Sequence, residues 1–462
     1  MREGDGGMVR RMAAVWLVLV CCLSGARALE SFPAEVAAAS PSMASMEVEA
    51  AAALLVDETY GRVLYEQNAH ERRYPASITK VMTCLLAIEA VEDGQLELDD
   101  PITAEADLYT GIGSGGSTQN LKEGEILPVR DLLYCAMLPS ANEACNVLAR
   151  AVAGDIPSFV ALMNQRAGQL GMVDTHFANT HGYHDEAHYT TAYDIYLLLS
   201  QALTHPLFRE IVSTAAYTVG ATNLSEERQV KNSNALLNAE SAAYYCPDAI
   251  GVKTGSTPEA GYCLASAAQR SGHTVVAVVL GAERIYHADG AVDHLQFQES
   301  KRLLEWGLDN FSLHTLASPA GSLGRVAVEL SQETDGVELL PTVSLTEFLP
   351  DDLSPDSLTY TLDCPESVEA PVAAGQVLGT VTISCGETVY GTLELAAAQG
   401  AERSLSLYLS SRLSGLMEQL WFRVVLGAGA VVLVVLAILI WLGSRQGPRG
   451  RRGGRRVASR RS

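Results

Sequence analysis

Near its C-terminus the chain runs for 19 residues, Val424 to Leu442, without a charged side chain. As a helix that run covers the roughly 30 Å hydrocarbon layer of a bilayer, with Trp421 and Trp441 at its edges. Residues 443–462 follow with eight arginines and no acid, the composition of a cytoplasmic flank. At the other end Arg10 and Arg11 precede an apolar run from Met12 to Leu23, and Ala26-Arg27-Ala28 offers a signal-peptidase site. Residues 1–28 therefore read as an export signal, and a lipoprotein reading at Cys21 or Cys22 is disfavoured because Val20 and Cys21 stand where a small residue belongs. Whatever folds must fit between these ends, on the exocytoplasmic side of a single-pass cell-membrane anchor.

Charge sharpens that division. The chain carries −22 overall, the first 28 residues +2 and the tail +8, which leaves −32 for residues 29–444. So acidic a segment repels phosphate and excludes nucleic acid as a partner. Seven cysteines follow the signal, an odd number; Cys84, Cys135, Cys145 and Cys263 lie in apolar runs and read as small buried hydrophobes. Cys364 with Cys385 is the one pair worth testing as a disulfide.

Residues 29–49, rich in Ala, Ser, Pro and Glu, read as a mobile leader. Across 50–312, Ala52 to Val56 and Arg62 to Glu66 flank a turn, helical stretches follow, and strands return at Ala249 to Thr254, Gly261 to Ala268 and Thr274 to Gly281. Strands at both ends of a helical middle predict an α+β domain with one antiparallel sheet. Residues 316–402 alternate in short strands, among them Arg325 to Leu330 and Gln376 to Ile383, and predict a small all-β domain. Across 403–423, Leu409, Leu413, Leu416 and Leu420 recur at helical spacing, which fits either a membrane-surface helix or a plain connector.

Three short motifs stand in order on this frame: Ser77-Ile78-Thr79-Lys80, Ser140-Ala141-Asn142 and Lys253-Thr254-Gly255. Ser77 follows Tyr74-Pro75-Ala76 and opens an apolar helix, so its hydroxyl and the Lys80 amine share one helix face. Burial and a second cation, for which Lys253 is a candidate, lower an amine towards neutrality and make it a base for a serine nucleophile. Each motif also has a bland reading: Ser77 as an N-cap, Lys80 as a solvated lysine, Ser140-Ala141-Asn142-Glu143 as a capping box, and Lys253 to Gly255 as an ordinary strand end. His176, His181, His184 and His188 fall close together but lack the helical His-Glu-x-x-His arrangement of a zinc peptidase. Residues 111–117 are glycine-rich without the Lys-Ser/Thr that completes a phosphate loop, and read as a flexible loop near the site.

In context the motifs resemble those of the low-molecular-mass, type-5 penicillin-binding proteins, the serine D-alanyl-D-alanine carboxypeptidases. The likeness rests on Pro75-Ala76-Ser77-Ile78-Thr79-Lys80, Leu138-Pro139-Ser140-Ala141-Asn142-Glu143-Ala144 and Gly251-Val252-Lys253-Thr254-Gly255-Ser256-Thr257, with Thr175 to Tyr183, Tyr189 to Asp194 and Ala260 to Leu264 between and after them. It implies a penicilloyl-serine transferase (β-lactamase-like) fold acting on peptidoglycan stem peptides and blocked by β-lactams, with no cofactor and no metal. It implies Ser77 as acyl-ester nucleophile, Lys80 as general base and Ser140 as proton shuttle. It implies Asn142, Lys253, Thr254, Gly255 and Ser256 as substrate-binding residues, with an oxyanion hole from the Ser77 and Ser256 N–H groups. The chain departs from the family at Glu143, where Asp is usual, at Thr180, where Pro is usual, and at Gln296, where relatives often place a carboxylate-binding arginine; Arg284 is an alternative to the last. A β-lactamase reading lacks a Glu-x-x-Leu-Asn loop base between Ser140 and Lys253, and a sensor reading lacks room for a signalling domain in the tail.

Overall fold

The computed structural model describes residues 47–444, so the export signal, most of the leader and the basic tail fall outside the described residues. The chain forms two units. The first takes the described residues up to Ser312 together with Phe348–Asp352, and the second takes Leu313–Glu347 and the described residues from Leu353 onward.

The first unit is built on a five-stranded antiparallel sheet of β1 (Ala52–Asp57), β2 (Arg62–Gln67), β3 (Ala249–Thr257), β4 (Gly261–Arg270) and β5 (His273–Ala282) in the order β2-β1-β5-β4-β3. Alternation along these Val- and Ala-rich strands separates two cores. Leu54, Val56, Cys263, Ala265 and Val278 face the helical layer, whereas Leu55, Leu264, Ala277 and Val279 face the helix that follows the sheet in sequence, Leu295–Asp309. The helical layer holds α1 (Lys80–Glu92), α2 (Val129–Met137), α3 (Asn142–Ala153), α4 (Ile156–Gln169), α5 (Ala192–Ala202) and α6 (Pro206–Ser213). In α1 every residue from Lys80 to Ile88 is buried, as its lack of a polar face requires. After β5 come a short hairpin, β6 (Arg284–Tyr286) and β7 (Val292–His294), and then α7 (Leu295–Asp309) on the outer face of the sheet.

Two boundaries differ from the sequence expectation. The leader ends earlier: Val48 is buried, its N–H donating to Gln67 Oε1 and its carbonyl accepting from Gln67 Nε2. Phe348, from the stretch expected to be wholly β domain, packs in the first unit with its ring 4.9 Å from Tyr60, 4.7 Å from His273 and 5.8 Å from Phe311.

The second unit contains a six-stranded sheet of β8 (Gly324–Glu329), β9 (Gly336–Pro341), β10 (Leu358–Asp363), β11 (Ser367–Glu369), β12 (Val377–Cys385) and β13 (Thr388–Ala397), ordered β10-β12-β13-β9-β8-β11. Its register rules out the Cys364–Cys385 disulfide. Cys385 lies opposite Leu358, while Cys364 follows Asp363, the partner of Thr380, so the two cysteines stand roughly 20 Å apart along the ladder. All seven described cysteines are free, five of them buried. Ser404 caps α8 (Leu405–Glu418), and after Gln419 the chain continues as α9 (Leu420–Ser444), apolar enough to span a membrane from Leu420 to Leu442.

Candidate active site

Ser77 lies in a 3-10 turn, Ala76–Thr79, that runs straight into α1, rather than at the helix start itself. Two glycines make this turn possible. A Cβ on Gly182 would fall 1.8 Å from the Ala76 carbonyl oxygen, and one on Gly255 would fall 3.0 Å from the Ser77 nitrogen and 2.9 Å from the Pro75 oxygen. Gly255 thus lets edge strand β3 lie against the serine, backbone to backbone.

Lys80 is fully buried and its Nζ is shared by two oxygens, Ser77 Oγ at 2.8 Å and the His181 carbonyl at 2.7 Å. Burial lowers its pKa from 10.5 to about 8, against the opposing pull of nearby Cys145, Cys84 and Glu143. Lys253, equally buried on β3, is lowered to about 7, first by burial and then by the charge of Lys80, and donates to the Thr254 carbonyl at 3.1 Å. An amine held this close to neutrality beside a hydroxyl is chemically able to take up a proton from it.

The second motif folds differently from the capping box its spacing suggests. Ala141, not Ser140, is the N-cap of α3, and no side chain caps it. Ser140 adopts φ +66°, and its hydroxyl is buried without a hydrogen-bond partner. Glu143 instead accepts from the Thr118 hydroxyl and the Gln119 N–H, both at 2.6 Å, and so ties the segment after the glycine loop to α3. That loop borders the site: the Asn142 N–H donates to the Ser117 carbonyl, and a Cβ on Gly116 would fall 2.8 Å from Asn142 Nδ2. Thr180 donates to Asn146 Oδ1 at 2.6 Å.

On β3, Thr254 is half-buried and Ser256 exposed. Ser233 was not marked by any sequence motif, yet its hydroxyl lies 2.6 Å from Thr254 Oγ1 and its N–H donates to the Leu138 carbonyl, joining β3 to the Ser140 turn. Two of the clustered histidines, His181 and His188, are held within the fold by hydrogen bonds. Buried His188 is lowered to about 3 by desolvation; its Nδ1 accepts from the Ala178 N–H, so the Nε2 proton faces Thr79 Oγ1 at 2.8 Å. His181, likewise lowered to about 3 chiefly by burial, accepts the Tyr183 N–H on Nδ1 while its carbonyl holds Lys80. Gln296 is buried in α7, and Arg284 lies on β6 with its guanidinium 4.0 Å above the Tyr262 ring.

The sequence family of D-alanyl-D-alanine carboxypeptidases, peptidase S11, matches residues 35–284. D-alanyl-D-alanine carboxypeptidase DacC of Escherichia coli is 33% identical over 355 residues, covering 74% of this chain and 82% of that protein. DacF of Bacillus subtilis is 27% identical over 356 residues, covering 77% and 87%. Among solved structures, penicillin-binding protein 6B from Escherichia coli superposes with a TM-score of 0.56 at 26% identity, covering 76% of this chain and 95% of its own. Penicillin-binding protein 5 from Haemophilus influenzae gives 0.55 at 25% identity, covering 78% and 99%. With its family match over more than half its length, the chain belongs to the D-alanyl-D-alanine carboxypeptidase family.

Proposed function

We propose that this chain is a serine-type D-Ala-D-Ala carboxypeptidase that removes the terminal D-Ala from peptidoglycan stem pentapeptides and is acylated by β-lactams at the same serine. The observation that carries the reading is the Lys80 amine, stripped of solvent and lowered to about 8, in contact with Ser77 Oγ. In its neutral form Lys80 takes the Ser77 proton as Oγ attacks the carbonyl carbon of the penultimate D-Ala. The N–H groups of Ser77 and Ser256 stabilise the oxyanion. Ser140, whose hydroxyl has no other partner among the described residues, relays the proton from Lys80 to the departing D-Ala amine, which leaves Lys80 neutral again. Water then attacks the ester and returns its proton through Lys80. Asn142 donates to the substrate amide, and Lys253, Thr254, Gly255 and Ser256 line the strand along which the peptide lies. No cofactor enters the scheme.

In the cell the chain is read as exported by residues 1–28 and held by α9 in the cell membrane, with residues 50–402 exocytoplasmic and the basic tail inside. The test is release of D-Ala from a pentapeptide ending in D-Ala-D-Ala by the chain freed of its anchor, with a fluorescent penicillin in parallel. Wild type should release D-Ala and label; Ser77→Ala should do neither. Labelling that survives Ser77→Ala refutes the nucleophile, and rapid turnover of penicillin turns the reading into a β-lactamase.

A further inference from the structure

Ala216–Val219 and Arg228–Lys231 pair as an antiparallel hairpin that no sequence motif marked. Its tip and second strand grip residues 119–126, which lie 97 to 109 positions away in the chain. Asn223 Oδ1 accepts from the Ile126 N–H at 2.9 Å, and its Nδ2 donates to the Gly124 carbonyl at 2.8 Å. Lys122 Nζ donates to the Leu224 carbonyl at 2.8 Å. Arg228 uses both arms of its fork: Nη1 donates to the Gln119 carbonyl at 3.0 Å, and Nη2 pairs with Glu125. Glu125 is fully buried and also accepts from the Thr222 hydroxyl at 3.0 Å and the Lys122 N–H at 2.9 Å. A charge-assisted fork on a carboxylate with these further donors is a stiff joint.

The hairpin itself is anchored on the elements that carry the site. Tyr217 stacks on Tyr134 of α2 with ring centroids 3.8 Å apart, and its hydroxyl donates to Asp131 at 2.7 Å. Past Lys231, Asn232 Nδ2 donates to the Val212 and Thr214 carbonyls, both at 3.1 Å, and Ser233 makes the contacts to Thr254 and Leu138 described above.

What this anchored hairpin holds is the end of the glycine loop. The Gln119 peptide is pinned on both sides, its N–H by Glu143 and its carbonyl by Arg228. Two residues earlier the Ser117 carbonyl accepts from the Asn142 N–H, and at the loop's other end the Tyr183 hydroxyl donates to the Ser114 carbonyl at 3.4 Å. Between these ties Gly113, Ser114 and Gly115 are exposed. Such a stretch offers backbone N–H and C=O groups with little side chain over them, the surface an extended peptide pairs with.

We propose that this hairpin is a clamp that sets the glycine loop as the cleft wall for those residues of the acyl donor that precede D-Ala-D-Ala, with Arg228 as its positioning residue. The inference rests on the carboxypeptidase reading above. A short donor is gripped by Ser77, Asn142 and β3 and needs little of this wall. A longer peptide collects binding energy along it, and a wall that drifts loses that energy while the chemistry at Ser77 continues. Arg228 acts through Gln119 and touches no substrate atom.

The experiment compares kcat/KM for D-Ala release from a stem pentapeptide ending in D-Ala-D-Ala with that from N-acetyl-D-Ala-D-Ala, and follows acylation by a fluorescent penicillin in parallel. Wild type should prefer the pentapeptide. Arg228→Met combined with Glu125→Gln removes the fork without stranding a buried carboxylate. It should lower the pentapeptide value about 10- to 30-fold, chiefly through KM, and leave the short donor and penicillin acylation within about threefold of wild type. Asn223→Ala frees Gly124 and Ile126 from the tip with Arg228 in place, and should shift the preference the same way by a smaller factor. Arg228→Lys, which keeps a cation on Glu125, should retain part of the preference. Equal losses on long and short donors in the double variant and in Asn223→Ala overturn the proposal, because that is what general damage to the fold produces. An unchanged preference in both overturns it too, as does a wild type that does not favour the longer donor. If wild type releases D-Ala from neither peptide, it is the carboxypeptidase reading that fails.

Discussion

Lys80 is where catalysis and stability oppose one another. Its folded-state pKa of about 8 lies below the ordinary 10.5, so the native chain sheds the proton before the unfolded chain does. At neutral pH the fold therefore carries a buried charge that weakens it, and the penalty is relieved as pH rises from about 8 towards 10.5. Two outcomes are expected. Penicillin acylation should rise with pH through a midpoint near about 8, as the neutral base appears. Lys80→Met should abolish acylation yet stabilise the chain by about 1–3 kcal/mol in urea denaturation at pH 7. A variant that loses stability instead contradicts the burial argument. Gly255→Ala is the complementary case, because its Cβ would press on the Ser77 nitrogen and the Pro75 oxygen. Penicillin acylation should fall more than about 100-fold, since displacing a reacting group by about 1 Å has that effect. Ser77 and Lys80 were legible because one helical turn of sequence brings them together. Ser233 was not, because its partner Thr254 is 21 residues away and no local pattern announces the contact.

The elements show the same contrast. The five sheet strands were readable because β-branched and apolar runs of this length pack on both faces, and the structure extends them by only a few residues at their ends. The capping box was misread because Ser140-Ala141-Asn142-Glu143 has the right letters, while the positive φ at Ser140 turns the hydroxyl away from the helix it precedes. Freed from capping, Glu143 serves the loop, and this sets a prediction for α3. Glu143→Ala strips the acceptor from the Gln119 N–H and the Thr118 hydroxyl, at a cost of about 2–3 kcal/mol in the urea midpoint. The glycine loop rests on Asn142 through Ser117 and Gly116, so D-Ala release should fall as well, with KM rising more than kcat drops. Normal kinetics in a destabilised variant would separate the loop from the site.

At the scale of the whole molecule, a chain with −32 on residues 29–444 and α9 at its end should behave as two solvents' worth of protein. Truncation before Ser404 should move the protein from the membrane fraction to the soluble one and leave kcat/KM on a short peptide unchanged; retention in the membrane would point to another anchor. Hydropathy made α9 legible, since 19 uncharged residues leave few alternatives. The return of Phe348 to the first unit was invisible, because one phenylalanine in an alternating strand does not say which core it joins. That return has a consequence for how genes of this kind are edited. The enzymatic unit is discontinuous in the message: a stop codon or a recombination joint after Ser312 would keep all three motifs yet delete the ring that covers Tyr60, His273 and Phe311. The C-terminal third therefore cannot be exchanged at a single joint without losing Phe348, and shuffling it for another requires a donor that brings its own plug.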